Sequence, residues 1–262
     1  MLIDSHAHLD MEDFENDFQE VLDRALEGGI TKIITIGIDL SSSLKSLELA
    51  NRYDFIFSSI GYHPHNSDNI DSQTVKELSR LVSEPKIVAW GEIGLDFYRR
   101  YSPPDRQVEV FELQLKMAVQ FDLPVIIHNR QADKEVLDIL KKRMHGKHRG
   151  VIHCFSGDYD LAMELIDMGY YISIPGTVTY KNAFQVHDVA SRIPLEHMLI
   201  ETDAPFLAPV PKRGKRNEPL FVTYTAQKIA QLRDLDFQEV ADQTSRNAEL
   251  LFGLPTLKAV SS

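Results

Sequence analysis

Short apolar runs alternate along the whole chain with longer stretches whose apolar positions recur at helical spacing. Runs rich in Ile and Val predict strands at Leu2–Ser5, Lys32–Gly37, Phe55–Gly61, Lys86–Trp90, Pro124–His128, Val151–His153, Tyr170–Ile174 and His197–Thr202. Several are apolar on both faces, as parallel strands covered on both sides are. The spacing between them predicts helices over Glu12–Glu27, stopped by Gly28-Gly29, and over Ser41–Asn51, Asp71–Val82, Pro104–Phe121, Gln131–Met144, Asp158–Met168 and Tyr180–Ile193. Leu220–Arg233 and Asp236–Phe252 close the pattern, with Asp236 and Glu239 spaced for a capping box.

Eight strand–helix units predict an α/β fold, a (β/α)8 TIM barrel, which typically takes about 250 residues; the chain has 262. A doubly wound open sheet is the competing reading, but no Gly-rich dinucleotide loop follows the first strand. No linker, low-complexity segment or internal repeat interrupts the pattern. Residues 1–257 are expected to form one domain and 258–262 a disordered tail.

Composition narrows the class. The chain is 43% hydrophobic and 26% charged, an ordinary globular balance. No apolar run reaches the roughly 18 residues of a membrane span, and Asp4, His6, His8 and Asp10 interrupt any leader-like start. Cys154 is the only cysteine, which excludes an internal disulfide and fits a reducing cytoplasm. A net charge of −11 argues against general coating of nucleic acid. It leaves room for a local site where metal ions and a few arginines meet phosphate.

The candidate chemistry lies at the strand ends. In extended chain, residues i and i+2 point to the same side. His6 and His8 can therefore offer two imidazoles to one point. The fourth strand leads to Glu92, the fifth to His128, the sixth to His153 and the eighth to Asp203. In a barrel these ends converge on the face that carries active sites. Four nitrogens and two carboxylates exceed what one catalytic ion takes while keeping a position open. They suit two ions roughly 3.5–4 Å apart, which need an anionic bridge, and Glu92 is placed to supply it. A single histidine after an apolar strand is more often a satisfied core residue, so the weight rests on the joint pattern. Glu201 shares the parity of Asp203 and reads as a carboxylate backing the ligands. Cys154, of opposite parity to His153, reads as a small buried residue. His145 and His148 fall in the basic run Lys141–Arg149 and read as solvated.

The chain resembles the TatD family of metal-dependent deoxyribonucleases, within the amidohydrolase-like metal barrels. The stretches that carry the likeness are Asp4–Asp10, Gly61–His65, Gly91–Asp96, Pro124–Arg130, Gly150–Gly157, Glu201–Pro205 and Arg213–Pro219, in the family's order over nearly the whole length. The resemblance implies a distorted TIM barrel. It implies one ion on His6, His8, Glu92 and Asp203 and another on Glu92, His128 and His153. It also implies phosphodiester hydrolysis, often exonucleolytic on DNA, in the cytoplasm.

The expected reaction is attack by a water that two divalent ions activate, with Asp203 as general base. His63, which follows the third strand and precedes Pro64, is expected to contact the phosphate or assist the leaving group; His65 is a further substrate contact. Arg213, Lys215 and Arg216, with Lys212, reverse the sign of an acidic chain locally. With Arg130, Arg99 and Arg100 they are the candidate phosphate contacts. No aromatic run resembles a single-strand platform, although Tyr98 and Tyr101 sit near those arginines. The donor set leaves Mg, Mn and Zn open. The family also has members linked to removing D-amino acids from tRNA. A D-aminoacyl-tRNA deacylase, or another amide or ester hydrolase on the same scaffold, is therefore the alternative. DNA is the first expected partner and tRNA the second, with no membrane and no obligate protein partner.

Overall fold

The computed structural model describes residues 1–143 and 149–256. The tail expected at 258–262, and His145 and His148, lie outside the described residues. Eight strands, β1 (Leu2–Ala7), β2 (Ile30–Thr35), β3 (Ile56–Ile60), β4 (Ile87–Asp96), β5 (Val125–Arg130), β6 (Gly150–Ile152), β7 (Tyr170–Ile174) and β8 (Met198–Ile200), form one sheet in chain order. Every neighbouring pair is parallel. Just past β8 the chain meets β1. Asp203 N–H donates to the His6 carbonyl at 2.9 Å, and His8 N–H to the Ala204 carbonyl at 2.7 Å. These bonds draw the sheet into the expected (β/α)8 barrel.

The helices are α1 (Phe18–Glu27), α2 (Leu40–Arg52), α3 (Ser72–Leu81), α4 (Pro104–Phe121), α5 (Asp133–Arg143), α6 (Tyr159–Asp167), α7 (Phe184–Arg192), α8 (Val222–Arg233) and α9 (Phe237–Phe252). A large apolar cluster joins helices to strands. A smaller one gathers Ile3, Ile34, Phe57, Val88, Ile126, Val151 and Leu199 from seven strands. Residues from so many strands can meet only inside the barrel. Ala248, Leu251 and Phe252 of α9 join this cluster and close that end. Among the described residues, no helix is long and apolar enough to cross a membrane.

Three helical elements differ from the pattern-based expectation. The predicted helix Glu12–Glu27 splits into a 3₁₀ turn, Glu12–Phe14, and α1. Phe14 turns into the core, and Arg216 grips both the Asp13 carbonyl (2.6 Å) and the Asp17 carboxylate (2.7 Å to each oxygen). Asp17 is thereby held at the N-cap position without capping. The predicted Tyr180–Ile193 helix begins only at Phe184. The preceding segment is a 3₁₀ turn, Gly176–Thr179, docked on the loop after β8: Tyr180 Oη donates to the Ala208 carbonyl at 2.9 Å, and Val210 N–H to Thr179 Oγ1 at 2.8 Å. Asp236 sits at the α9 N-cap, but its side chain makes no capping bond.

β4 is the strand that matters most for the site. It runs well past the expected Trp90, to Asp96, with a register shift between Gly91 and Ile93. An irregularity of this kind re-aims the side chain it contains, and here that is Glu92. Gly94 follows at φ +139°, where an added Cβ would lie 2.0 Å from the His128 carbonyl oxygen. Only glycine lets β4 and β5 approach this closely while both carry site residues.

Candidate metal centre

His6, His8, His63, Glu92 and His153 are all buried, and the structure brings them together with His128 and Asp203 at one end of the barrel. The two carboxylate oxygens of Glu92 face different groups. Oε2 looks toward His6 Nε2 (3.4 Å) and His8 Nε2 (3.8 Å). Oε1 looks toward His128 Nδ1 (2.8 Å), His153 Nε2 (2.8 Å) and His63 Nε2 (3.3 Å). Asp203 joins the first group, its Oδ1 3.3 Å from His8 Nε2 and 3.7 Å from His6 Nε2. Asp203 holds φ +55°, a left-handed turn that Asp tolerates better than most residues, and this swings its side chain in at the end of β8.

The donor chemistry fits divalent cations. His6 Nε2 and His8 Nε2 lie 3.3 Å apart, and His128 Nδ1 and His153 Nε2 3.2 Å. Nitrogens about 2.0–2.1 Å from one tetrahedral ion stand roughly 3.3–3.4 Å from each other. Among the described residues, three groups have ligand atoms within 4.8 Å of one another: His6, His8 and Asp203; His63, Glu92 and His128; and His6, His153 and Glu201.

The site's electrostatics call for positive charge. Burial works to raise the Glu92 carboxyl, but His153, His63 and His128 outweigh it and hold it well below the usual range. Burial likewise opposes ionisation of Asp203, and the His8 and His6 rings reverse that. His153 is pushed well above the ordinary imidazole value: burial opposes the shift, and Glu92 and Glu201 overcome it. His63, where burial dominates, falls to about 4. Glu92 and Asp203 thus stay ionised despite burial and favour positive charge between them.

Around this centre stand residues in supporting positions. Glu201, fully buried, accepts the Cys154 N–H at 2.6 Å and lies 3.5 Å from His153 Nδ1. The sequence reading missed Asp96, which is buried and in contact with two histidines: Oδ2 is 2.7 Å from His65 Nε2 and 3.4 Å from His128 Nε2. Its Oδ1 accepts the backbone N–H groups of Tyr98 (3.0 Å) and Arg99 (2.8 Å). Asp4, also missed, accepts the Thr202 hydroxyl at 2.6 Å and the Thr202 N–H at 2.9 Å, clamping β1 to the end of β8. Burial raises its carboxyl to about 8 against those bonds. The signal for both was their place in the quoted motifs, but no spacing rule tells which distant histidine or threonine an aspartate will meet.

The expected phosphate contacts separate into free and committed groups. Arg130 is exposed and lies over the Tyr98 ring at 4.2 Å; Arg213 lies over Tyr180 at 4.4 Å. Lys215 is exposed in the same loop as Arg213. Arg216, expected beside them, spends its guanidinium on Asp17 and the Asp13 carbonyl and covers the Phe14 ring. Burial pushes the Cys154 thiol well above its usual value, and it belongs to none of the three ligand groups.

A (β/α)8 barrel with buried histidines and carboxylates gathered at one end is the architecture of a metal-dependent hydrolase. The sequence comparisons agree: the family model for TatD related DNase matches residues 3–253. This chain belongs to the TatD family. It is 42% identical over 252 residues to the metal-dependent hydrolase YabD of Bacillus subtilis, covering 96% of this chain and 99% of YabD. It is 35% identical over 258 residues to a protein of Citrobacter koseri named 3'-5' ssDNA/RNA exonuclease TatD, covering 97% and 99%. Among solved structures it is similar to YJJV, the TatD homologue of Escherichia coli K12, with a TM-score of 0.91 and 32% identity over 97% of this chain and 98% of the other.

Proposed function

We propose that this enzyme is a two-metal phosphodiesterase that degrades nucleic acid, a deoxyribonuclease acting from strand ends in the cytoplasm. The observation that carries the reading is the two-faced Glu92: one carboxylate oxygen serves the His6, His8 and Asp203 side, the other the His128 and His153 side. His6, His8, Glu92 and Asp203 would hold one divalent ion, and Glu92, His128 and His153 the second. Bound there, the pair would offset the charge of a phosphodiester and ease ionisation of water.

The chain's own groups then divide the remaining work. Asp203, ionised and turned inward, accepts the proton of the attacking water. His63, held neutral by burial and 3.3 Å from Glu92, is placed beside the phosphate or the leaving oxygen. His65, fixed by Asp96, lies next to His63 with ring centroids 4.3 Å apart and contacts the same group. Arg130, Arg213 and Lys215 supply exposed positive charge for neighbouring phosphates. The name of the Citrobacter koseri relative supports nucleic acid as the substrate class.

The test is turnover by demetallated protein given Mg, Mn or Zn, against single-stranded DNA, RNA and D-aminoacyl-tRNA side by side, with metal content measured in parallel. Two ions per chain and release of nucleotides from DNA are expected. Turnover confined to the aminoacyl ester would move the assignment to a tRNA deacylase.

A further inference from the structure

Phe206 lies three residues after Asp203, on the same rim of the barrel. Its backbone is fixed at both ends. Its N–H donates to the Asp203 carbonyl at 2.8 Å, and its carbonyl accepts Asn217 Nδ2 at 2.6 Å. Asn217 is itself fully buried and also donates to the Thr202 carbonyl at 2.8 Å. The loop beyond is tied to the β7 side through Ala208 and Val210. The side chain nevertheless stays 49% exposed, and its ring stands edge-on to the His8 ring with centroids 6.0 Å apart. Three nearby aromatic rings carry a cation: Tyr98 has Arg130, Tyr180 has Arg213 and the buried Phe221 has Lys212, whereas Tyr101, exposed and edge-on to His65, has none among the described residues. Among the described residues no cation covers Phe206. Leu207 and Val210 beside it are exposed as well, so the rim is apolar at this point. A large bare ring on a fixed backbone, beside a cluster of charged groups, suits a planar partner that carries its own charge nearby.

We infer that Phe206 is the stacking wall for the nucleobase adjoining the scissile phosphate. The inference rests on the nuclease reading above and adds what that reading lacks, a reason for choosing single strands. A nucleotide whose phosphate sits among the metal ligands has its base one sugar away, within reach of a ring beside His8. The base can lie on Phe206 only if its own face is free. In a duplex, laying the base on Phe206 would first require breaking its pair and its stack on the neighbouring pair, a cost that an unpaired end avoids, so a free strand is selected without any reading of sequence.

Steady-state cleavage of a short single-stranded DNA tests this. The intact oligonucleotide is compared with two versions that carry an abasic residue at the 5′ or the 3′ end. The proteins are wild type, Phe206→Ala and Phe206→Trp. Phe206→Ala should raise KM on the intact strand roughly 5- to 160-fold, the range for loss of one base–aromatic stack, with kcat little changed. Removing the base at one end should raise the wild-type KM by a similar factor, and the two losses should not multiply. Phe206→Trp should restore binding to the intact strand. Metal content and melting temperature of each variant exclude a collapsed site. Unchanged KM for Phe206→Ala, or losses that multiply for both abasic ends, overturns the inference and leaves the nuclease reading standing. A wild-type protein that hydrolyses a simple phosphodiester or ester but no oligonucleotide overturns both.

Discussion

Asp96→Asn replaces one carboxylate oxygen by an amide NH2 in a fully buried group of the same shape. In the wild type, Oδ1 takes two backbone N–H donors, so in the variant the remaining oxygen is held there. The NH2 must then face His65 and His128, where Oδ2 stood 2.7 and 3.4 Å from their Nε2 atoms. A donor at that point requires both rings to present a bare Nε2 and to carry the proton on Nδ1. For His128, Nδ1 is the atom 2.8 Å from Glu92 and 3.2 Å from His153 Nε2, the one that would bind a cation. The substitution thus sets the wrong tautomer as well as removing a charge. Loss of a carboxylate partner behind a metal-binding histidine typically costs 10- to 100-fold in affinity, about 1.4–2.8 kcal/mol. The tautomer penalty places Asp96→Asn at the upper end. Calorimetric titration of demetallated protein should show one weakened ion and one nearly unchanged, because His6, His8 and Asp203 do not touch Asp96. Nitrogen NMR of the imidazoles should show His128 protonated at Nδ1. Two ions of wild-type affinity, with His128 still protonated at Nε2, would refute the reasoning.

Other outcomes are equally specific. Asp203→Asn should abolish hydrolysis while leaving part of the metal bound; near wild-type turnover would remove Asp203 as the base. Arg213→Ala combined with Lys215→Ala should raise KM for DNA and flatten its salt dependence, whereas Arg216→Ala should leave both unchanged. Arg216→Ala should instead lower the melting temperature by a few degrees at neutral pH, since a partly exposed ion pair contributes about 1 kcal/mol or less. Asp17 is held below its usual value, first by Arg216, so that contribution is complete above the ordinary carboxylate pKa and is lost as pH falls through the depressed one. The melting difference should therefore shrink on acidification. Gly94→Ala, with its Cβ driven onto the His128 carbonyl, should destabilise the fold by roughly 1–3 kcal/mol or more and reduce metal content in the same preparation.

The barrel could be read from sequence because parallel strands buried on both faces have so few polar exceptions. Of the metal-capable polar residues on those strands or just past them, His6, His8, Glu92, His128, His153 and Asp203 are brought together by the fold. The end of β4 was harder to read. Gly91 and Gly94 look like breaks in a strand, whereas here they allow a strand to pass another at very short range. Long-range partners were out of reach for a different reason. Arg216 looked like a phosphate ligand because its neighbours are basic, but its carboxylate lies 199 residues earlier. Asp96 and Asp4 were visible within their motifs, but spacing along a chain does not tell which ring or hydroxyl will come to face them. Phe206 had no periodic signal because its role depends on staying out of the core.

The seam between β1 and the segment after β8 has a consequence for synthesis. Asp4 and Thr202, 198 positions apart, must be joined before His6, His8 and Asp203 share one space. A nascent chain whose last strand is still inside the ribosome would hold Glu92, His128 and His153 but lack the place that Asp203 completes with His6 and His8. Uptake of the ion proposed for His6, His8, Glu92 and Asp203 would then mark the polypeptide's closure, and a product truncated before residue 200 would lack its proposed base however well its earlier strands had formed.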